Sequence, residues 1–333
     1  MEGLLKKKIS AHELPLVVEP ANQKISLIES FQLLSHHREN LKKNLLISGG
    51  LLFRNFPVSN EKDFSNFIKT LGLGNFIDYI GDSPRTKIAE GIYTSTETPS
   101  SVKIPLHNEL SFIDLYPKHI YFYCHTVPQK GGETILADGR KILHALNDKI
   151  KFRFKDKGLK YTSRYHERNI FLKMINKLHP SHRTWVDVFE TKDKDEVEHK
   201  CRLSNFHFKW NKNNWIQISQ QRPATIRHPQ TNEEVWFNQA HLFDFNPKLM
   251  GLWRFVSSQL LYYPKHTKLH DVSFGDLTSI PREDLYQIMD TLDEHTIKFP
   301  WQKGDVLVLD NVLAMHGRAT FSGKRRVMAA MTS

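Results

Sequence analysis

His107 and Glu109 stand two residues apart in "IPLHNELSF", residues 104–112, and an imidazole beside a carboxylate is a pair that binds divalent metal. On a strand, positions i and i+2 project from one side, so both side chains could meet one ion. The other His-x-Glu, His37-Arg38-Glu39, lies in "FQLLSHHRENLKKNL", whose apolar spacing is helical. Residues two apart on a helix point about 200° from each other, so that pair reads as a solvated helix face. A non-heme Fe(II) site takes two imidazoles and one carboxylate on one face of the ion, which leaves a second, distant histidine to be found. His316 is the best placed, following the apolar run "GDVLVLDNVLAMHG". His119, His125, His144 and His241 also sit near apolar sequence and read as hydrogen-bonded structural residues.

Beyond His316 comes "GKRRVMAAM", where an arginine emerges from a strand expected to pair with the one carrying the histidine. A guanidinium buried near an Fe(II) site needs an anion, and a dicarboxylate cosubstrate supplies one through a bidentate contact. Thr134, in "GGETILAD", could add a hydroxyl to the same carboxylate. Tyr93, Lys103, Asn108, Asn238 and Arg318 are candidate substrate-pocket groups by their nearness to these motifs.

These residues need a scaffold. Residues 1–90 alternate helix and strand signals: "SLIESFQLLSHHRENLKKNL" is helical, "GGLLFRNFPV" is a buried strand, and "SNEKDFSNFIKTLG" is a helix capped by Ser59 or Asn60 with Phe64, Phe67, Ile68 and Leu71 as its apolar stripe. Residues 91–139 and 236–333 carry short β-like runs ("KHIYFYCHTV", "ETILAD", "GDVLVLDN") punctuated by turns at "PQKGG", Gly304-Asp305 and Ser322-Gly323. Between them, residues 140–235 hold charged, helix-compatible stretches such as "GRKILHALNDKIKFRFKDKG" and read as a large helical insertion within one domain spanning 1–333.

Composition narrows the function classes. No apolar run approaches the ~18 residues of a membrane helix, and no secretory signal opens the chain, so a cytoplasmic protein is expected. Cys124 and Cys201 alone make neither a disulfide framework nor a CxxC knuckle, which leaves metal binding to histidine and carboxylate. The net charge of +11 is spread along the chain without a recognition motif, so no nucleic-acid partner is expected.

The ordered set "PLHNELSF", "GGETILADGR", "VWFNQAHLF", "FPWQKGDVLVLDN" and "MHGRATFSGKRRVM", over roughly residues 90 to 331, resembles the taurine dioxygenase-like (TauD/TfdA) family of Fe(II)- and 2-oxoglutarate-dependent oxygenases, in its SyrP-like and clavaminate synthase-like branch. The resemblance implies a mainly β fold with flanking helices, a double-stranded β-helix or jelly-roll, cupin-like barrel with segment 140–235 over its mouth. It implies His107, Glu109 and His316 as iron ligands, Thr134 and Arg326 as holders of the distal carboxylate of 2-oxoglutarate, and O2 as the oxidant. Arg325 is the rival of Arg326, since alternation lets only one face inward. The implied reaction is hydroxylation of a small molecule, an amino acid free or tethered to a carrier protein, in natural-product pathways. Glu109 at the carboxylate position argues against halogenation, and Ala330 argues against a sulfonate held by a second arginine. The rivals are a Zn(II) cupin-type enzyme on the same ligands and a jelly-roll binding protein without turnover, neither of which needs a dicarboxylate anchor.

Overall fold

The computed structural model describes residues 2–9, 13–77, 85–167, 183–211, 213–261 and 269–333. Two sheets carry the fold. The larger has eight strands in the order Leu4–Lys8, Leu16–Pro20, Gly50–Phe53, Val306–Asp310, His119–Thr126, Arg326–Thr332, Ile92–Thr94 and Lys87–Ala89. All its pairings are antiparallel except that of Leu16–Pro20 with Gly50–Phe53. The smaller sheet is antiparallel throughout, in the order Ile297–Phe299, Thr134–Asp138, Ala314–Arg318 and Ile104–His107.

The sheets meet through one apolar cluster, with Leu52, Ile120, Phe122, Leu307, Leu309, Ala329 and Met331 from the larger and Leu136, Ile297, Phe299 and Ala314 from the smaller. The alternate residues of the same large-sheet strands, Tyr121, Tyr123, Val306, Val308, Met328 and Ala330, point the other way, into a second cluster. These strands are therefore buried on both faces, which is why their sequences are nearly continuous apolar runs.

Helices Leu27–His36, Arg38–Ser48 and Glu61–Leu71 cover that second face. Asn60 caps the third of them by accepting from the Asp63 amide, and Phe64, Phe67, Ile68 and Leu71 are all buried as the stripe requires. Phe67 meets Phe53 edge-on at 5.0 Å, a geometry aromatic quadrupoles favour. The long helical signal before them resolves into two helices broken at His37. Its imidazole is buried and bonded through Nε2 to the Glu2 carbonyl at 2.7 Å, so His37 is a junction and not part of a solvated face.

Residues 140–235 differ from the expected helical insertion. Helices Gly139–Ala145, Asp148–Lys157 and Lys194–Leu203 form as their caps Asp138, Asn147 and Asp193 dictate. However, Leu159–Tyr165, His207–Trp210 and Ile216–Arg222 join His270–Phe274 in a four-stranded sheet. Leu159, Tyr161, Ser163 and Tyr165 alternate inward while Lys160 and Arg164 stay half exposed, a strand pattern whose charges gave it a helix-compatible look. Ile142, Ile150, Phe154 and Tyr161 from this segment pack on the outer face of the smaller sheet, against Leu106, Ile135, Ala137 and Met315. Among the described residues no helix is long and apolar enough to cross a membrane.

Candidate active site

The inner face of the smaller sheet holds the chemistry. Ala314 and Leu136 face the inter-sheet core, so by alternation His316 and Arg318 on one strand and Thr134 on its neighbour face the same way. On the other side His316 registers directly against His107, with a bulge before Arg318. A Cβ at Gly317 would lie 2.5 Å from the Ile104 carbonyl oxygen and 2.8 Å from that of Pro105, so glycine permits this close approach of the two strands.

Glu109 is not placed by simple strand alternation. The strand ends at His107, and the chain then turns through Leu110 at φ 55°. Asn311 fixes that turn: its Oδ1 accepts from the Glu109 amide at 2.8 Å, while its Nδ2 donates to the carbonyls of Glu109 at 2.9 Å and Pro117 at 2.8 Å. Asp310 in turn shapes the loop carrying Asn311, accepting from the amides of Val312 and Leu313 and from the ring of His228. Replacing Asn311 by alanine strands buried backbone groups at about 1–3 kcal/mol each and frees Glu109. Asn311→Ala is therefore expected to lower the melting temperature and to weaken Mn(II) binding by roughly 10- to 100-fold, read by calorimetry.

His107, Glu109 and His316 each offer an atom within 4.8 Å of the others, which suits one ion. His107 Nδ1 lies 2.8 Å from the Pro105 carbonyl, so it is the protonated nitrogen and Nε2 is left for a metal. Burial and the neighbouring His316 push the His107 imidazole down to about 3, keeping it neutral and metal-competent. Burial alone pushes the Glu109 carboxyl up, but Arg85 and the two histidines outweigh it and hold the group ionised, well below the usual carboxylate range. Arg85 Nη2 donates to Glu109 Oε2 at 2.7 Å, and His316 Nε2 lies 3.6 Å from the same oxygen. Two imidazoles and a buried carboxylate form the donor set a non-heme Fe(II) centre uses.

The cavity containing these groups is also lined by Ser95, Thr96, Ile104, Phe122, Thr134, Arg318 and Arg325. The choice of Arg326 is corrected here: it is exposed, and Arg325 is the arginine that turns in. Val327, Ala329 and Met331 are the inner-face residues of this strand, whose ladder with His119–Thr126 is irregular between Arg326 and Val327, and Arg325 enters the cavity from just before the strand begins. Arg325 Nε donates to the Gly132 carbonyl at 3.0 Å, and burial with the adjacent Arg318 draws its guanidinium down to about 10, still charged at neutral pH. Trp301 Nε1 donates to Thr134 Oγ1 at 3.2 Å, which leaves the Thr134 hydroxyl proton available to an acceptor in the cavity.

The pocket candidates divide. Arg318 lines the cavity but donates to the carbonyls of Thr98, Pro99 and Val102, so it fixes a loop. Tyr93 registers against Ala329, which places it on the inner face, but it is not among the residues lining the cavity. Lys103 is at the surface, paired with Asp293 at 2.7 Å. Asn108 and Asn238 are fully buried and donate to backbone, Asn108 to Asn311 and Ala314, Asn238 to Ala224, so neither faces the cavity. His241 Nε2 bonds the Leu106 carbonyl, a tether for the His107 strand. Arg85 and Asn311 carry no local signal in the sequence that marks them.

Residues 11–332 match the family model "Taurine catabolism dioxygenase TauD, TfdA family". The chain belongs to the TauD/TfdA family, and it is an Fe(II)- and 2-oxoglutarate-dependent dioxygenase whose cofactors are Fe(II), 2-oxoglutarate and O2. It is 34% identical over 301 residues to the dapdiamide synthesis protein DdaC of Enterobacter agglomerans, covering 89% of this chain and 85% of that protein. It is 27% identical over 340 residues to a clavaminate synthase-like protein of Arabidopsis thaliana, covering 98% of this chain and 95% of the other. Its fold is similar to that of AAD-2, solved with Mn(II) and N-oxalylglycine, at a TM-score of 0.58 and 12% identity over 99% of this chain and 96% of that one.

Proposed function

We propose that this chain hydroxylates an amino acid or amino-acid-derived small molecule, free or tethered to a carrier protein, in secondary metabolism. The observation that carries the reading is one cavity with a His107/Glu109/His316 cluster and, lining the same space, Arg325 with Thr134. Fe(II) bound there, with 2-oxoglutarate and O2, supplies the oxidant for a C–H bond while 2-oxoglutarate is converted to succinate and CO2. His107, Glu109 and His316 hold the ion. Arg325 needs an anion because a buried guanidinium is costly unpaired, and the distal carboxylate of 2-oxoglutarate meets that need together with the Thr134 hydroxyl. Phe122, 5.2 Å ring to ring from His316, closes the inter-sheet side against water.

Two sheets packed face to face with the site between them support the double-stranded β-helix reading within a single cytoplasmic domain, whereas the described part of segment 140–235 packs on the outer face of the smaller sheet and supplies no lining residue of the cavity. The name of DdaC supports an amino-acid-related biosynthetic setting. The test is oxygen-dependent succinate formation across amino acids, dipeptides and carrier-bound aminoacyl thioesters. A substrate that raises succinate output in step with its own hydroxylation supports the reading; succinate output unchanged by every member overturns it.

A further inference from the structure

Resting on His107, Glu109 and His316 as the iron ligands, we propose that Gln239 and His241 are positioning residues of the metal centre, gripping the backbone that carries His107 and Glu109. Both lie in "VWFNQAHLF", where strand Glu234–Trp236 gives way to helix Ala240–Phe243, and neither lines the cavity. His241 Nε2 donates to the Leu106 carbonyl at 2.9 Å, and Gln239 Nε2 donates to the Asn108 carbonyl. The residue before each ligand is thus held by its carbonyl, Leu106 ahead of His107 and Asn108 ahead of Glu109. Both side chains are buried, so these bonds are shielded from competing water. Among the described strands, Ile104–His107 stands at the edge of the smaller sheet, paired on one side with Ala314–Arg318. Side-chain donors therefore hold a stretch that strand pairing secures on one side only.

The grip is itself anchored. The Gln239 amide donates to the Tyr161 hydroxyl at 3.0 Å, and Tyr161 belongs to strand Leu159–Tyr165, so the sheet within residues 140–235 backs the metal centre from outside the cavity. Asn238 donates to the Ala224 carbonyl and accepts from the Ala240 amide, which fixes the turn on which Gln239 sits. Asn108, between the two ligands, reaches further. Its Nδ2 donates to the Asn311 carbonyl at 2.7 Å and to the Ala314 carbonyl at 3.4 Å, the latter at the start of the strand that carries His316. Through Asn108, the bond from Gln239 bears on the spacing of all three ligands. Without it the peptide between Asn108 and Glu109 can rotate, and a carboxylate displaced by about 1 Å loses the geometry an ion of fixed bond length demands. Burial draws the His241 imidazole down to about 4, so it is uncharged at neutral pH with its one ring proton on Nε2, toward the carbonyl.

Calorimetric titration of Mn(II) into the metal-free protein, beside its melting temperature, tests this. Gln239→Met and His241→Leu roughly keep the side-chain volume and remove the donor, and each is expected to weaken Mn(II) binding by roughly 10- to 100-fold. His241→Gln reaches as far as the imidazole Nε2 and is expected to stay within about threefold of the wild type, whereas His241→Asn, one methylene shorter, falls with His241→Leu. Tyr123→Phe is the control: it removes a buried donor to the Val58 carbonyl on the far face of the larger sheet, and is expected to lower the melting temperature without moving Mn(II) affinity. Affinity unchanged in Gln239→Met and His241→Leu, a loss in His241→Gln equal to that in His241→Asn, or a comparable loss in Tyr123→Phe overturns the assignment. Should the apolar variants fail to fold, His241→Gln against His241→Asn decides, since the two amides differ only in reach. A wild-type protein that takes no Mn(II), or a His316→Ala protein that takes it as tightly, overturns the ligand assignment and the grip with it; wild-type binding that no Gln239 or His241 variant alters removes only the grip.

Discussion

His107→Ala, Glu109→Ala and His316→Ala are each expected to abolish 2-oxoglutarate turnover, whereas Glu39→Ala leaves it intact. The three residues are the described side chains that converge within reach of one ion, Glu109 and His316 buried and His107 half-buried. Removing one of three ligands costs about 4 kcal/mol of metal binding, on the order of 10³-fold in affinity. Glu39 belongs to a different place, paired with Lys42 on the surface of helix Arg38–Ser48. Metal content after dialysis and succinate formation check both halves, and an equal loss in all four variants sinks the ligand assignment.

The second large effect separates two adjacent arginines. Arg325→Ala is expected to raise the dissociation constant of 2-oxoglutarate by roughly 10- to 100-fold, the worth of a charge-assisted bidentate contact in a buried site. Arg326→Ala is expected to change it less than twofold or so, since exposed ion contacts contribute little. Thr134→Val belongs with Arg325→Ala, with a smaller effect of about tenfold or less, because it removes one neutral donor and leaves Trp301 Nε1 without its acceptor. Equilibrium binding of 2-oxoglutarate to the Fe(II) protein under nitrogen distinguishes the variants; a larger loss in Arg326→Ala contradicts the geometry.

The metal triad was legible because its residue types are rare in that combination and lie at the ends of apolar runs. The means of bringing Glu109 in was not, since it depends on Asn311, some two hundred residues away in sequence and adjacent only in the fold. The wrong arginine follows from the same physics that builds the core. In "RRVMAAM" both faces of the strand are buried, so the apolar run has no period of two from which to read the phase of Arg325 and Arg326. Asn108 and Asn238 misled for a related reason: a buried amide and a pocket amide look the same until their backbone partners are known. The sheet within residues 140–235 was obscured by lysines and arginines on its half-exposed side. Arg85 sits in "GDSPRTK", a stretch with no periodicity, and only its burial against Glu109 gives it meaning.

The most direct test of the central claim is an anaerobic titration of the metal-free protein with Fe(II) and then 2-oxoglutarate, followed by visible absorption. A charge-transfer band that saturates at one equivalent of each is expected, weakened in Arg325→Ala and absent in His316→Ala. Iron that binds at His107, Glu109 and His316 without any band on adding 2-oxoglutarate contradicts it.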